Sequence, residues 1–350
     1  MSELLRDAWY FAAASAELKP GQQFRRFVLG EPVMLARGRD GRAFALRDVC
    51  PHRAAPLSAG RQVETDGAVT IECPYHGWRY GPDGACKFIP SLIEGQPYEA
   101  GRIKTRAYQT HEAHGLVFVY VSADPRFEGA PPAPPVLDAP ETAPNIVTTR
   151  IFASDMDNAV VGLIDPAHVP YVHSQWWWRP PSAGRKLKEK RFEPRELGWA
   201  MARHAPAANS LAYRWLFGKD VTTEIVFKLP GYRWEVVESG AKRLYTLTCL
   251  TPEHESSTRI TQVTYWQNAW IMDALKPWLV PAAREFLDQD GRMVDLQNEG
   301  LKYTPSMLWI DDIDVQAKWY LTLKREWTKA KAESRAFVNP IQPTTLRWMS

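Results

Sequence analysis

The chain has 350 residues, 45% of them hydrophobic, and 43 Lys and Arg against 40 Asp and Glu give a net charge of +3. That length suits two domains, or one large domain with an insertion, and the apolar content is ample for packed cores. The charge is too balanced for a nucleic-acid binder and no apolar run is long enough to span a bilayer, so neither nucleic acid nor membrane is an expected partner.

The N-terminal MSELLRDAWYFAAASAELKPG carries acids early and has no basic start ahead of an apolar stretch. No signal peptide is expected, and the protein reads as cytoplasmic. Residues 24–48, FRRFVLGEPVMLARGRDGRAFALRD, alternate short apolar runs with Gly and Asp turns, which predicts a β-meander. The pattern continues through GAVTIECPYHGWRYGPDGACKFI, with a tight turn at GPDG, and closes on the apolar strand GLVFVYVS at 115–122. Residues 1–125 therefore form an expected all-β domain. RFEGAPPAPPVLDAPETAP, 126–144, is rich in Pro and Ala without periodicity and reads as an extended linker. In the second unit, 126–350, TTEIVFKLPGYRWEVV, RLYTLTCLTP and RITQVTYWQNAW predict strands, and helical patterns occupy roughly 272–302 and 312–333. The expected class is α+β, an antiparallel sheet flanked by helices behind an all-β domain.

Four cysteines without an export signal argue against a disulfide scaffold. Cys86 and Cys249 have no His or Cys at ligand spacing and read as packed thiols. Cys50 and His52 in CPHR, then Cys73 and His76 in CPYHGW, form a C-x-H…C-x-x-H set on two loops. Such a set can hold a structural zinc, or a Rieske [2Fe–2S] centre in which two His replace two Cys on one iron. Each loop gives one Cys and one His, so each iron of a two-iron cluster can draw matched ligands from both loops. Further on, GLIDPAHVPYVH puts His168 and His173 five residues apart, a spacing that a regular helix does not bring to one face. A helix broken or started at Pro170 would free both rings to turn toward one point.

CPHRAAPL and CPYHGWRY closely resemble the two cluster loops of bacterial Rieske non-haem iron oxygenases, α-subunit type, the ring-hydroxylating and demethylating enzymes. DAWYFAAASAEL, the His motif and the late helix extend the resemblance over nearly the whole chain. It implies a Rieske domain, then a helix-grip-like catalytic domain with a mononuclear Fe(II). The motif D-x-x-H-x-x-x-x-H is matched by Asp165, His168 and His173, and the family takes its third iron ligand from a late helix. AAREFLDQDGRMVDLQNEG offers Asp288, Asp290 and Asp295. On a helix Asp290 falls within the apolar face of Phe286, Leu287, Met293 and Val294, so it is the expected ligand, while Asp288 and Asp295 read as solvated. Asp165 is implied to bridge, across a subunit interface, to His76 of a neighbouring copy in a homotrimer. Where many relatives carry Asn, this chain has Gly162, and its nearest Asn is Asn158.

The function implied is the terminal oxygenase of a system using O₂ and electrons from a ferredoxin or flavin reductase. NAD(P)H would act indirectly, because no G-x-G-x-x-G fingerprint is present. Length and architecture favour hydroxylation or demethylation of a small hydrophobic substrate over cis-dihydroxylation. An electron-transfer protein without oxygenase activity is the alternative from another class. SQWWWRPP, YRWLFG and TYWQNAW are candidate pocket walls, through Trp176–Trp178, Tyr213, Trp215, Phe217, Trp266 and Trp270. RPPSAGRKLKEKRF, 179–192, reads as a solvated basic loop, or as a docking patch for an acidic donor built on Lys186, Lys188 and Lys190.

Overall fold

The computed structural model describes residues 4–349 apart from 94, 97–98, 174–186, 207–212, 214–215 and 219. The front half holds β1 (Ala8–Ala14), β2 (Gln23–Val28), β3 (Glu31–Arg37), β4 (Ala43–Arg47), β5 (Arg61–Thr65), β6 (Ala68–Glu72), β7 (Arg79–Tyr80), β8 (Cys86–Phe88), β9 (Ala107–Tyr108), β10 (Thr110–Ala113) and β11 (Leu116–Val121). They make three antiparallel sheets, ordered β1-β11-β10, β2-β3-β4-β9 and β5-β6-β7-β8. The meander and the GPDG turn fall where the alternating pattern puts them.

The second half contains β12 (Ile146–Phe152), α1 (Met156–Ile164), α2 (Val169–Val172), β13 (Leu187–Arg195), β14 (Gly198–His204), β15 (Thr222–Lys228), β16 (Tyr232–Ser239), β17 (Lys242–His254), β18 (Ser257–Gln267), α3 (Trp270–Leu301), α4 (Val315–Ala332) and β19 (Thr344–Met349). Eight strands form one antiparallel sheet, β12-β18-β17-β16-β15-β14-β13-β19. Its apolar face receives Val160 of α1, Leu287 and Val294 of α3 and Leu323 of α4 against Trp199, Phe227 and Ile260. The class is α+β.

The opposite face of the sheet packs on the β1-β11-β10 sheet. Trp9, Phe11 and Phe118 share a core with Tyr232, Trp234 and Val263. Tyr232 donates to the Trp9 carbonyl at 2.9 Å and Thr251 to that of Phe11 at 2.8 Å. The stretch at 126–144 has no regular structure, as expected, but it is no free linker. Leu137 is buried in that same core, and the Pro132 carbonyl accepts from Trp9 Nε1 at 2.9 Å. Its apolar residues give it a face to bury, which turns a spacer into a strap. The basic stretch also differs from expectation. From Leu187 it is strand β13, hydrogen-bonded to β14 on one side and β19 on the other. Alternating Lys188, Lys190 and Phe192 give it the period of two that the loop reading overlooked.

Candidate metal centres

The first site lies on the β4–β5 and β6–β7 loops. Each begins with a cysteine whose carbonyl closes a tight turn: Ala54 N–H donates to Cys50 O at 2.9 Å and Gly77 N–H to Cys73 O at 3.1 Å. Gly77 has φ +70°, and a Cβ there would meet Pro90 at 3.0 Å, so the second loop needs a glycine. Cys50 and Cys73 are buried free thiols, and Tyr80 Oη stands 3.3 Å from Cys50 Sγ. The rings of His52 and His76 are 4.5 Å apart, and Trp78 stacks on His52 at 4.3 Å and 6°. Sulfurs thus gather at the buried end and imidazoles at the outer end, with His76 exposed.

The donor set fits a two-iron cluster. His52 Nδ1 is buried without a hydrogen-bond partner, and burial together with His76 holds that ring below the usual imidazole range, in the neutral form that binds metal. Among the described residues, the group of three or more donors lying within 4.8 Å of one another is His168, His173 and Asp290. Cys86 and Cys249 are buried, as expected of packed thiols.

The second site answers the five-residue spacing. Helix α1 starts on Asp155, whose side chain accepts from the N–H groups of Asp157 and Asn158, and stops at Asp165, forced into extended backbone ahead of Pro166. His168 then caps the start of the single turn α2 and His173 its end, with Pro170 in the first positions between them. The two rings sit at opposite ends of one turn and converge, 5.4 Å apart. Helix α3 supplies Asp290, whose Oδ1 lies 3.6 Å from His168 Nε2 and 3.4 Å from His173 Nε2.

The surroundings set the protonation states. His173 is fully buried, stacked on Phe286 at 3.8 Å, and its Nδ1 faces Gln289 Oε1 at 3.1 Å. The Gln289 amide N–H donates to Glu285, so its oxygen is the end turned to the ring. His173 then carries its proton on Nδ1 and aims a lone pair from Nε2, which is buried and without a partner. Burial pushes His173 down to about 4, against the pull of that hydrogen bond. Burial pushes Asp290 up to about 6, although His168 and Arg233 both pull it down. Burial also disfavours charge on His168, but Asp165 and Asp290 outweigh it and lift this ring above the usual range. Two neutral-capable imidazoles and a desolvated carboxylate around orphaned lone pairs make a set that a divalent ion would complete.

Asp288 and Asp295 lie at the surface of α3, as expected, and share one cation. Arg150 on β12 donates to Asp288 at 2.9 Å and to Asp295 at 3.0 Å. It crosses the helix at Gly291, where a Cβ would lie 2.0 Å from Arg150 Nε. The buried face is also rotated: Met293 is exposed, whereas Gln289 and Gly291 are buried. Gln289 was missed by sequence reasoning, since a Gln between two Asp carries no ligand signature. Asp165 takes the Ala167 N–H on one oxygen at 2.7 Å, and its other oxygen is 3.7 Å from His168 Nδ1. Asn158 does not replace the Asn missing at 162, because its amide binds Asp155 at 2.7 Å. A Cβ at Gly162 would meet nothing within 4 Å.

A cavity of about 1230 Å³ opens onto His168, His173 and Asp290. Its aromatic wall comprises Trp199, Tyr213, Phe227, Trp278, Phe286 and Trp348. Of the aromatics expected there, only Tyr213 contributes among the described residues. Trp266 is buried with Nε1 on Asp273, Phe217 packs beside Met272, and Trp270 is exposed. Trp176, Trp177, Trp178 and Trp215 lie outside the described residues. Lys188 and Lys190 line this cavity rather than a docking surface, and Lys186 is not described.

Comparison with known proteins agrees with this layout. Residues 8–104 match the Rieske [2Fe–2S] domain and residues 156–324 the vanillate O-demethylase oxygenase C-terminal domain. Flavonoid 8-hydroxylase 2 of Ocimum basilicum is 33% identical over 47% of this chain and 33% of its own length. The toluene-4-sulfonate monooxygenase system iron–sulfur subunit of Comamonas testosteroni is 38% identical over 33% of this chain and 31% of its own length. The chain thus spans about a third of the length of these curated relatives. Among solved structures, dicamba monooxygenase bound to dicamba superposes with TM-score 0.70 at 22% identity, covering 93% of this chain and 98% of that one. NdmB of Pseudomonas putida gives 0.65 at 19% identity, covering 99% and 97%.

Proposed function

The chain belongs to the Rieske oxygenases, with a Rieske [2Fe–2S] domain ahead of an oxygenase C-terminal domain, and we propose that it is the terminal oxygenase of a multi-protein system acting on an aromatic or other hydrophobic organic substrate. The observation that carries the reading is the convergence of His168, His173 and Asp290, donor atoms within 4.8 Å of one another, on the wall of a cavity of about 1230 Å³. When bound, the two groups supply electron storage at a [2Fe–2S] cluster and O₂ activation at a ferrous ion.

The residues divide the work as follows. Cys50 and Cys73 would hold the cluster from the buried side and His52 and His76 from the outer side. His168, His173 and Asp290 would hold the ion at the wall of the cavity. Gln289 fixes the tautomer of His173. Trp199 and Phe227 seat a flat apolar body and keep water out. Asp165 is half-exposed with one oxygen beyond hydrogen-bond reach of His168. We assign it as the bridge to His76 of a neighbouring copy, which is exposed, and hence assign a homotrimer. Residues 1–125 are assigned as the Rieske unit and 126–350 as the catalytic unit.

We favour oxidative demethylation or monooxygenation over dioxygenation, because residues 156–324 match the vanillate O-demethylase oxygenase C-terminal domain. Electrons would come from NAD(P)H through a ferredoxin or flavin reductase, in the cytoplasm. The test is iron content together with Asp290→Ala. The native chain should hold about three irons, and the variant should keep its visible cluster spectrum while losing substrate oxidation. Two irons per native chain would leave only the electron-transfer reading.

A further inference from the structure

The cavity holds cations that the protein does not neutralise. Arg233 on β16 lines it, half-buried and close enough to act on Asp290, and its side chain makes no hydrogen bond or ion pair among the described residues. Lys188 on β13 has no partner among them either, and Lys190 reaches only the Ala205 carbonyl, at 3.4 Å. Desolvation lowers both ammonium groups from their ordinary value, and no carboxylate offsets it. The undescribed residues between 174 and 219 contain no Asp or Glu to serve as partner.

The acids that face the same space are committed elsewhere. Asp290 belongs to the triad and Asp165 holds the Ala167 N–H. Glu235 accepts from the Thr223 hydroxyl at 2.9 Å and bonds to Tyr213. Lys188, Lys190 and Arg233 thus face Asp165, Glu235 and Asp290, and a divalent ion in the triad leaves the wall with a surplus of two positive charges. Arg233 is then no counter-charge to the loaded centre, because the ion already overcompensates Asp290. A half-desolvated guanidinium without an acid is costly unless something brings one.

Resting on the oxygenase reading of this cavity, we propose that the substrate is an organic anion, an apolar body carrying one carboxylate- or sulfonate-type group that Arg233 clamps near the metal. The guanidinium fork matches two oxygens of such a group, which fixes orientation as well as affinity. The lysines stand on β13, three strands from β16 and so about 14 Å away across the sheet. They draw the anion into the cavity, and Arg233 holds it.

Calorimetry on the full-length chain, loaded with cluster and Fe(II), without reductant so that nothing turns over, tests the proposal. The probes are naphthalene-2-carboxylate, naphthalene-2-sulfonate, naphthalene-2-carboxamide and 2-naphthylmethylammonium. Both anions should bind at least about tenfold more tightly than the carboxamide. Arg233→Met should erase that preference with iron and cluster retained. Arg233→Gln serves the same comparison should the Met variant not fold. Lys188→Met with Lys190→Met should weaken anions at low salt and flatten the salt dependence, yet keep the preference. Equal or tighter binding of the carboxamide or the ammonium overturns the proposal. So does a preference that survives Arg233→Met, or binding of no probe below about 10 mM. Anion preference without any O₂-dependent product would instead sink the oxygenase reading alone.

Discussion

Replacing Gln289 by Leu should separate metal affinity from everything else at the mononuclear site. Gln289 Oε1 accepts from His173 Nδ1 at 3.1 Å in a fully buried position, and the amide N–H end is turned to Glu285. With Leu there, the Nδ1 proton loses its acceptor, at a cost of about 1–3 kcal/mol for a buried unpaired donor. The metal-free protein can escape that cost by moving the proton to Nε2, where Asp290 Oδ1 stands 3.4 Å away. The metal-bound protein cannot, because the ion needs that lone pair. The penalty therefore falls on binding: at 1.4 kcal/mol per decade, Fe(II) or Co(II) affinity should drop by about 5- to 150-fold. Chelator competition on the cluster-loaded apoprotein measures it, with the visible cluster spectrum unchanged as the control. Gln289→Glu, which keeps an acceptor, should bind at least as tightly as the native chain. A Leu variant that binds within about twofold of native would mean that Gln289 does not set the tautomer.

Metal uptake should weaken as pH falls through about 6, where Asp290 takes a proton in the metal-free protein. His168, lifted above the usual range by Asp165 and Asp290, competes in the same direction, so the slope should exceed one decade per pH unit, and pH-dependent metal titrations check it. Gly291→Ala should destabilise by about 1–3 kcal/mol through collision with Arg150, seen as a lower denaturation midpoint. In an Arg150→Met background the same change should cost much less, and additive effects would deny the collision. Tyr80→Phe removes a hydroxyl 3.3 Å from Cys50 Sγ, so protein-film voltammetry should find a more negative cluster potential, because the more negative reduced state loses a donor.

The sequence marked Cys50, His52, Cys73 and His76 as one candidate donor set, since four donors with fixed Pro, Gly and Trp neighbours leave few other chemistries. His168 and His173 were legible as a pair, but not the reason their spacing works, which is one turn capped by a ring at each end. Asp290 was legible because a carboxylate among apolar helix positions needs a cation. That same helical reading put Asp288 and Asp295 on the outer face, where they stand, but gave no sign of their partner Arg150, which lies on β12, more than a hundred residues away in sequence. Helix periodicity describes one helix and says nothing of what crosses it.

The cavity walls were least legible, for a physical reason. Local composition marked Trp266 and Trp270 and passed over Trp199 and Trp348, yet of these four only the latter two face the space. Which side of a strand faces inward depends on register, and a shift of one residue moves every side chain to the opposite face. Lys188 pairs with Trp348, and residues in register share a face, so the cation stands on the side of the cavity. The stretch that reads as a solvated loop from its charge becomes, once hydrogen-bonded between β14 and β19, a row of positive charge turned toward the cavity. Its chemistry was visible from the start in KLKEKRF, but its direction came only from its neighbours in the sheet.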